Sequence, residues 1–387
     1  MGYYKIKKGL LFSLIFIGLN TPALTFQEYQ QQQNNQYNKY KEDFEKEFEA
    51  YKKAYDEAFE DFKKDLKVKW PEKRPVISTK HKWVEYTPDL NNRKSIDFEK
   101  LEMNFEVIAK NEKEAKEKIS KMFNNLTKDN VQTAYKKDIL ENKVQEKLKL
   151  PKKKVVKSNQ KIIADIINKQ EMLRLKNKLD DKKIVVKKYK DKFIYKANVK
   201  LPSDTMVKKA KKFKYAVLAN ADKQKVPPAL VYAIMHSESS FNPMARSHIP
   251  AFGLMQIVPR SAGIDAYQYL YNKKRVLTSD YLYDSDKNIN IGSAYLHILY
   301  YRYLRKITDP QSKIYCTIAA YNTGAGNVAK AFIGSTNISK ASKIINSMSS
   351  DEVYQKLLKD LPYDETKHYL KKVTKRISSY NKFLSQK

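Results

Sequence analysis

Tyr37, Tyr40, Phe44, Phe48, Tyr51, Tyr55, Phe59, Phe62 and Leu66 follow one another at spacings of three and four residues. A helix puts residues so spaced on one face. The pattern repeats every 11 residues, which keeps the stripe on a straight helix rather than a left-handed supercoil. So aromatic a face needs a surface to cover it. The stretch therefore predicts one long helix, docked on another part of the chain or on another protein. A row of aromatic rings also suits a ligand, but packing is the commoner use of such a stripe. Pro71 and Pro75 end the segment, and a Gln/Asn-rich spacer, Gln27 to Gln36, precedes it.

Beyond the prolines the texture changes. Ile96–Asp97–Phe98 and Met103 to Ile108 alternate like strands. Glu112 to Leu126 has helical spacing. Lys183 to Tyr189 and Phe193 to Val199 suit a hairpin across Lys190–Asp191–Lys192. Between them, Pro151 to Lys192 is very basic, and most of its lysines are expected on a solvated face. From Pro202–Ser203–Asp204 onward, short helical stretches alternate with Gly, Pro and Asn turns, and no strand is expected. The first of these helices is Met206 to Lys225. The chain thus reads as α+β overall. A spacer and long helix (26–70) lead to a mixed α/β domain (71–200), and an all-α domain follows (201–387).

The beginning of the chain carries an address. Lys5, Lys7 and Lys8 precede the apolar run Leu10 to Leu19, and a short polar stretch with Pro22 and Ala23 follows. This is the layout of a secretory signal peptide over residues 1–25. The run is short for a membrane span, which needs about 20 residues. No cysteine lies near it, so lipid attachment is not expected. The one cysteine, Cys316, sits among apolar neighbours and is expected to be a buried thiol. No Cys/His cluster has metal-ligand spacing, and no metal or cofactor is expected. Lys and Arg number 76 against 43 Asp and Glu, a net charge of +33. That excess calls for an anionic partner. Wall carboxylates and an anionic membrane surface fit. Nucleic acid is not expected, since no nucleic-acid motif accompanies the charge. The oligomeric state is not legible.

Chemistry concentrates after Val226. Pro228 suits a first helical turn, and Leu230, Val231, Ile234 and Met235 give a helix-spaced apolar face. Asn242–Pro243 is expected to stop that helix. Glu238 then lies near a helix C-terminus among apolar residues, and both features raise a carboxyl pKa. A general acid working near neutral pH needs that shift. Downstream come Gly253–Leu254–Met255–Gln256, then Ala320–Tyr321–Asn322 with Gly324 and Gly326, then Glu365–Thr366 with Tyr369. No second catalytic carboxylate stands out around Glu238.

These motifs resemble, in order and spacing, the catalytic domain of the soluble-lytic-transglycosylase family over about Val207 to Lys382. The resemblance implies a lysozyme-like fold. The stretch Ala233 to Pro243, with Lys82 to Tyr86 and Arg93 to Phe98, is further similar to a lipid-anchored subgroup of that family. The acylated cysteine of that subgroup has no counterpart here. What the resemblance implies is cleavage of the bond between N-acetylmuramic acid and N-acetylglucosamine in peptidoglycan glycan strands. Glu238 would act first as acid, then as base, closing a 1,6-anhydro ring without water. Tyr321 would set the protonation of Glu238, and Asn322 and Gln256 would hold sugar groups. Ser247 would place a hydroxyl near the reacting centre. Met255 would form an apolar wall, and Tyr369 would close the cleft. Ser239 and Ser240 read as local turn and capping residues.

Two other readings stay open. A lysozyme-type hydrolase would need a second acid, with Asp265, Asp284 and Asp286 as candidates. A non-catalytic wall-binding protein would rest on charge alone. Residues 26–200 hold none of the motifs, and are expected to position the wall rather than take part in the chemistry. The compartment implied is the periplasm or cell envelope.

Overall fold

In the computed structural model, residues 26–71, 75–149, 155–181, 183–248 and 250–386 are described. The leader read over 1–25 lies outside them. The chain divides into two units, residues 1–46 and 47–387. Helix α1 runs Phe26–Lys69. It starts ahead of the Gln/Asn stretch, which is helical and not a spacer. Gln is nearly as good a helix former as Leu, so nothing in that composition forbids it. Within the second unit, Phe48, Tyr51, Tyr55, Phe59, Phe62 and Leu66 are all buried, as the stripe requires.

All the strands of the described residues lie between 82 and 200. They are β1 (Lys82–Tyr86), β2 (Asn92–Asp97), β3 (Glu102–Ala109), β4 (Val185–Tyr189) and β5 (Lys192–Lys200). The sheet is antiparallel throughout, in the order β1-β2-β3-β5-β4. In β3, Met103, Phe105, Val107 and Ala109 alternate into the core. Helices α2 (Glu112–Leu126), α3 (Val131–Lys137), α4 (Ile139–Lys147) and α5 (Lys169–Asp180) fill the connection from β3 to β4. Each starts on an Asn or Asp whose side chain accepts a backbone N–H of the first turn.

The rest is helical. First come α6 (Thr205–Lys212), α7 (Lys214–Gln224), α8 (Pro228–Ser239), α9 (Ile264–Tyr271), α10 (Ser279–Leu282) and α11 (Ser285–His297). They are followed by α12 (Pro310–Thr323), α13 (Ala325–Ile333), α14 (Ile338–Asn346), α15 (Ser350–Asp360) and α16 (Asp364–Ser385). The single helix expected over Met206 to Lys225 breaks at Phe213, which buries its ring against Phe241. Cys316 is free and fully buried.

Helix α1 touches both halves of the second unit. Phe62 meets the Tyr86 ring of β1 edge-on at 5.9 Å, and Tyr51 meets Phe252 at 6.5 Å. One apolar cluster runs through sheet, α1 and helical region. No helix among the described residues is long and apolar enough to cross a membrane.

Candidate active site

Helix α8 is buried along nearly its whole length, because both its flanks are covered. Tyr232 stacks on Tyr380 of α16 with ring centroids 5.0 Å apart. The Tyr380 hydroxyl pairs with His236 Nδ1 at 2.9 Å, and Arg376 donates to Ser237 Oγ at 2.9 Å. The helix ends at Ser239, before Asn242, because Ser240 and Phe241 turn left-handed (φ 49° and 58°).

Glu238, next to last in α8, is 4% exposed. Burial pushes its carboxyl above the ordinary range, as the sequence suggested. The Lys80 ammonium, 3.5 Å from Oε2, opposes that shift. Tyr369 opposes it too, and the nearby Glu365 charge adds to it. The buried Tyr369 hydroxyl lies beside Glu238 without closing a well-aligned hydrogen bond. Tyr321 feels the Glu238 charge as well, yet its hydroxyl donates to the Met255 carbonyl at 2.8 Å.

That carbonyl belongs to a tight turn over Gly253–Leu254–Met255–Gln256. Gly253 has φ 76°, and a Cβ there would overlap the Leu282 carbonyl and the Asn288 side chain. Asn288, fully buried on α11, holds the turn together. Its amide donates to the carbonyls of Phe252 and Leu282 (2.8 and 2.9 Å) and accepts from the Met255 N–H (2.8 Å). Ser239 ties α8 to the same turn, donating to Leu254 O at 2.8 Å. Its role is thus a bridge between two motifs rather than only a local cap. Gln256 donates to Gly253 O, while its buried Oε1 has no hydrogen-bond partner. Asn322, at the end of α12, accepts from Thr366 of α16 at 2.7 Å.

The structure therefore brings Tyr321 and Tyr369 to Glu238, links the Met255 carbonyl to Tyr321, sets Gln256 on the same turn, and ties Asn322 to Thr366 of α16. Ser247 sits on the loop that leads into the turn, where its N–H bonds Ala251 O and its carbonyl accepts from Tyr55 of α1. Asp265 accepts from Tyr303, Asp284 caps α11, and Asp286 lies in the first turn of α11. Glu365 is the carboxylate among the strongest influences on Glu238. Lys80, Asn288, Glu365 and Thr366 are the residues whose part at the site the sequence did not give. Glu365–Thr366 was visible as a motif, whereas Lys80 and Asn288 carried no local signal. Among the described residues no cluster of His, Cys, Asp or Glu suits a metal ion.

Lys80 belongs to residues 26–200, the region expected to stand apart from the chemistry, yet its ammonium lies against Glu238. It comes from the segment leading into β1. The same segment bonds side chains just after α8, with His81 Nδ1 3.0 Å from Ser240 Oγ and the Asn242 side-chain amide donating to the Lys80 carbonyl at 3.3 Å.

The family profile described as Transglycosylase SLT domain matches residues 216–345. The chain is 41% identical over 189 residues to the membrane-bound lytic murein transglycosylase C of Serratia proteamaculans, and 41% to that of Klebsiella pneumoniae. Each match covers 49% of this chain and 52% of the relative, so the chain spans about half the length of the curated relatives it matches. Among solved structures, the 70 kDa soluble lytic transglycosylase of Escherichia coli is 23% identical with a TM-score of 0.35, covering 45% of this chain and 24% of that one. The profile match and the relatives at about 40% identity make the segment 216–345 similar to transglycosylase SLT domains.

Proposed function

We propose that the protein is a lytic transglycosylase of the bacterial cell wall. It cleaves the bond between N-acetylmuramic acid and N-acetylglucosamine in peptidoglycan and leaves a 1,6-anhydromuramoyl end. The observation that carries this reading is Glu238 itself: one buried carboxyl held above its ordinary range, among tyrosines and amides. A carboxyl raised by burial holds its proton more tightly than an exposed one and, as general acid, delivers it to the glycosidic oxygen. The resulting carboxylate then takes the proton of the muramoyl C6 hydroxyl as that oxygen closes on C1. The acceptor is internal, so no water is consumed. The unpartnered Gln256 Oε1 suits an acetamido N–H, and Met255 supplies an apolar wall. Asn322 and Ser247 complete the proposed sugar contacts, and Tyr369 bounds the cleft on the α16 side. An envelope location accords with the basic and apolar start of the chain and with its lysine excess.

Glu365 leaves a hydrolase as the second reading, because it supplies a carboxylate near Glu238. The products separate the two. Purified sacculi digested with the protein should release muropeptides with anhydro ends and no new reducing ends. Glu238→Gln should lower that release by roughly 10²-fold or more, the usual worth of a positioned proton donor. Reducing-end products from wild-type protein would favour the hydrolase. Retention of more than a few per cent of activity by the variant would remove Glu238 from the chemistry.

A further inference from the structure

We propose that Lys80 is a positioning residue of the active site, contributed from outside the catalytic motifs, whose ammonium compensates the Glu238 carboxylate between its two proton transfers. The proposal rests on the transglycosylase reading above. Its basis is geometric. Lys80 Nζ lies 3.5 Å from Glu238 Oε2, and the Lys80 side chain is 34% exposed against 6% for Glu238. A long side chain thus reaches from the open side onto a carboxyl that is otherwise enclosed.

The reach is prearranged by the backbone. Thr79 N–H donates to Lys82 O at 2.8 Å, and Lys82 N–H donates to Thr79 Oγ1 at 3.2 Å, which closes a tight turn around Lys80. Ser78 Oγ exchanges bonds with Val84, and Phe98 N–H donates to His81 O. The turn is then fastened to the chain after α8. Asn242 donates to the Lys80 carbonyl, Arg246 N–H donates to Thr79 O at 3.4 Å, and the Ser240 hydroxyl pairs with His81. Lys80 therefore has its Cα held against the end of the helix that carries Glu238. So many backbone fasteners at one turn are what placing a flexible side chain requires.

The chemistry asks for such a group. A carboxyl used once as an acid needs only burial, which keeps it protonated. A carboxyl used as acid and then as base must also be tolerable as an anion in the same enclosed place. The first transfer leaves O⁻ on Glu238, and the second returns a proton to it, so the site must carry that charge in between. The groups acting most strongly on or feeling Glu238 include Tyr321 on α12, Tyr369 and Glu365 on α16, and Lys80. Lys80 is the cation among them. It acts on Glu238 in the direction opposite to burial.

The test is the pH dependence of anhydro-end release from soluble uncrosslinked glycan strands, with full-length wild type, Lys80→Met, Lys80→Gln and Lys80→Arg. Removing the cation should raise the pKa of Glu238, so the limb on which activity falls with rising pH moves to higher pH. Turnover at the wild-type optimum should drop by roughly tenfold in Lys80→Met and Lys80→Gln, with KM little changed, and Lys80→Arg should restore most of it. A raised KM with an unmoved pH profile would make Lys80 a substrate contact and overturn the proposal. So would a loss uniform across pH, which marks a structural role, or no loss at all. Wild type that released no anhydro ends at any pH would overturn the functional reading and, with it, this role for Lys80.

Discussion

Tyr321 commits its hydroxyl to the Met255 carbonyl, and that one bond links the helix behind Glu238 to the turn in front of it. The family resemblance implied that Tyr321 would lie beside the acid and help set its protonation. The structure gives it a mechanical task as well, since Met255 and Gln256 hang from the same turn. Tyr321→Phe should keep the ring and lose the tether. We expect about 1 kcal/mol of stability to go, the net worth of one buried hydrogen bond. Activity should fall by less than in Glu238→Gln. Urea unfolding alongside anhydromuropeptide assays checks this, and an unchanged turnover would exclude the tether from function. At this scale the motif residues were legible from the sequence. Their fasteners were not. Asn288 sits 33 residues from the N–H it accepts and offers nothing local to read.

Among the elements, the aromatic helix and the hidden strands make opposite lessons. The stripe on α1 was legible because helical geometry alone dictates which residues share a face. Its partners, Tyr86 and Phe252, were not, since they come from distant parts of the chain. Phe62→Ala should cost about 3–5 kcal/mol, as expected for emptying a buried aromatic site. A thermal melt would register it, and a shift under a degree or two would mean that α1 is not integral to the core. Strand β2, by contrast, is polar over most of Asn92–Asp97, yet Arg93, Lys94, Ser95 and Asp97 are all buried. Burial is tolerated there because the charges are matched. Arg93 pairs with Glu106 and lies 4.0 Å over the Trp70 ring, and Lys94 is shared by Glu85 (2.8 Å) and Asp129 (2.5 Å). Periodicity scores hydrophobicity and is blind to such pairing.

Across the second unit as a whole, the sheet-bearing and helical segments are joined by polar contacts that neither could satisfy alone. Buried Arg246 pairs with Asp138 at 2.8 Å, and Ser279 donates to Glu141 Oε2 at 2.9 Å while Glu141 Oε1 stays unpartnered. Burial, helped by Asp138 and opposed by Arg246, pushes Glu141 up to about 7 from 4.5. A carboxyl whose folded pKa is raised holds its proton more tightly in the folded protein, so stability falls as pH rises from about 4.5 to about 7. The loss should be on the order of 3 kcal/mol. Glu141→Gln should remove that slope, giving a variant more resistant to urea than wild type at pH 8 and little different at pH 4.5. Identical pH dependence in the two proteins would mean that Glu141 is not buried as an acid. The sequence by itself determined the long helix, the hairpin, the helical C-terminal region and the motif residues around Glu238. Each follows from spacing, turn chemistry or motif order along a short stretch of chain. Only the tertiary structure decided that β2 is buried, that Asn288 holds the turn, and that Lys80 reaches the acid. Those depend on charges and hydrogen bonds between residues as far as 158 apart in the chain, and such pairing leaves no mark on local periodicity.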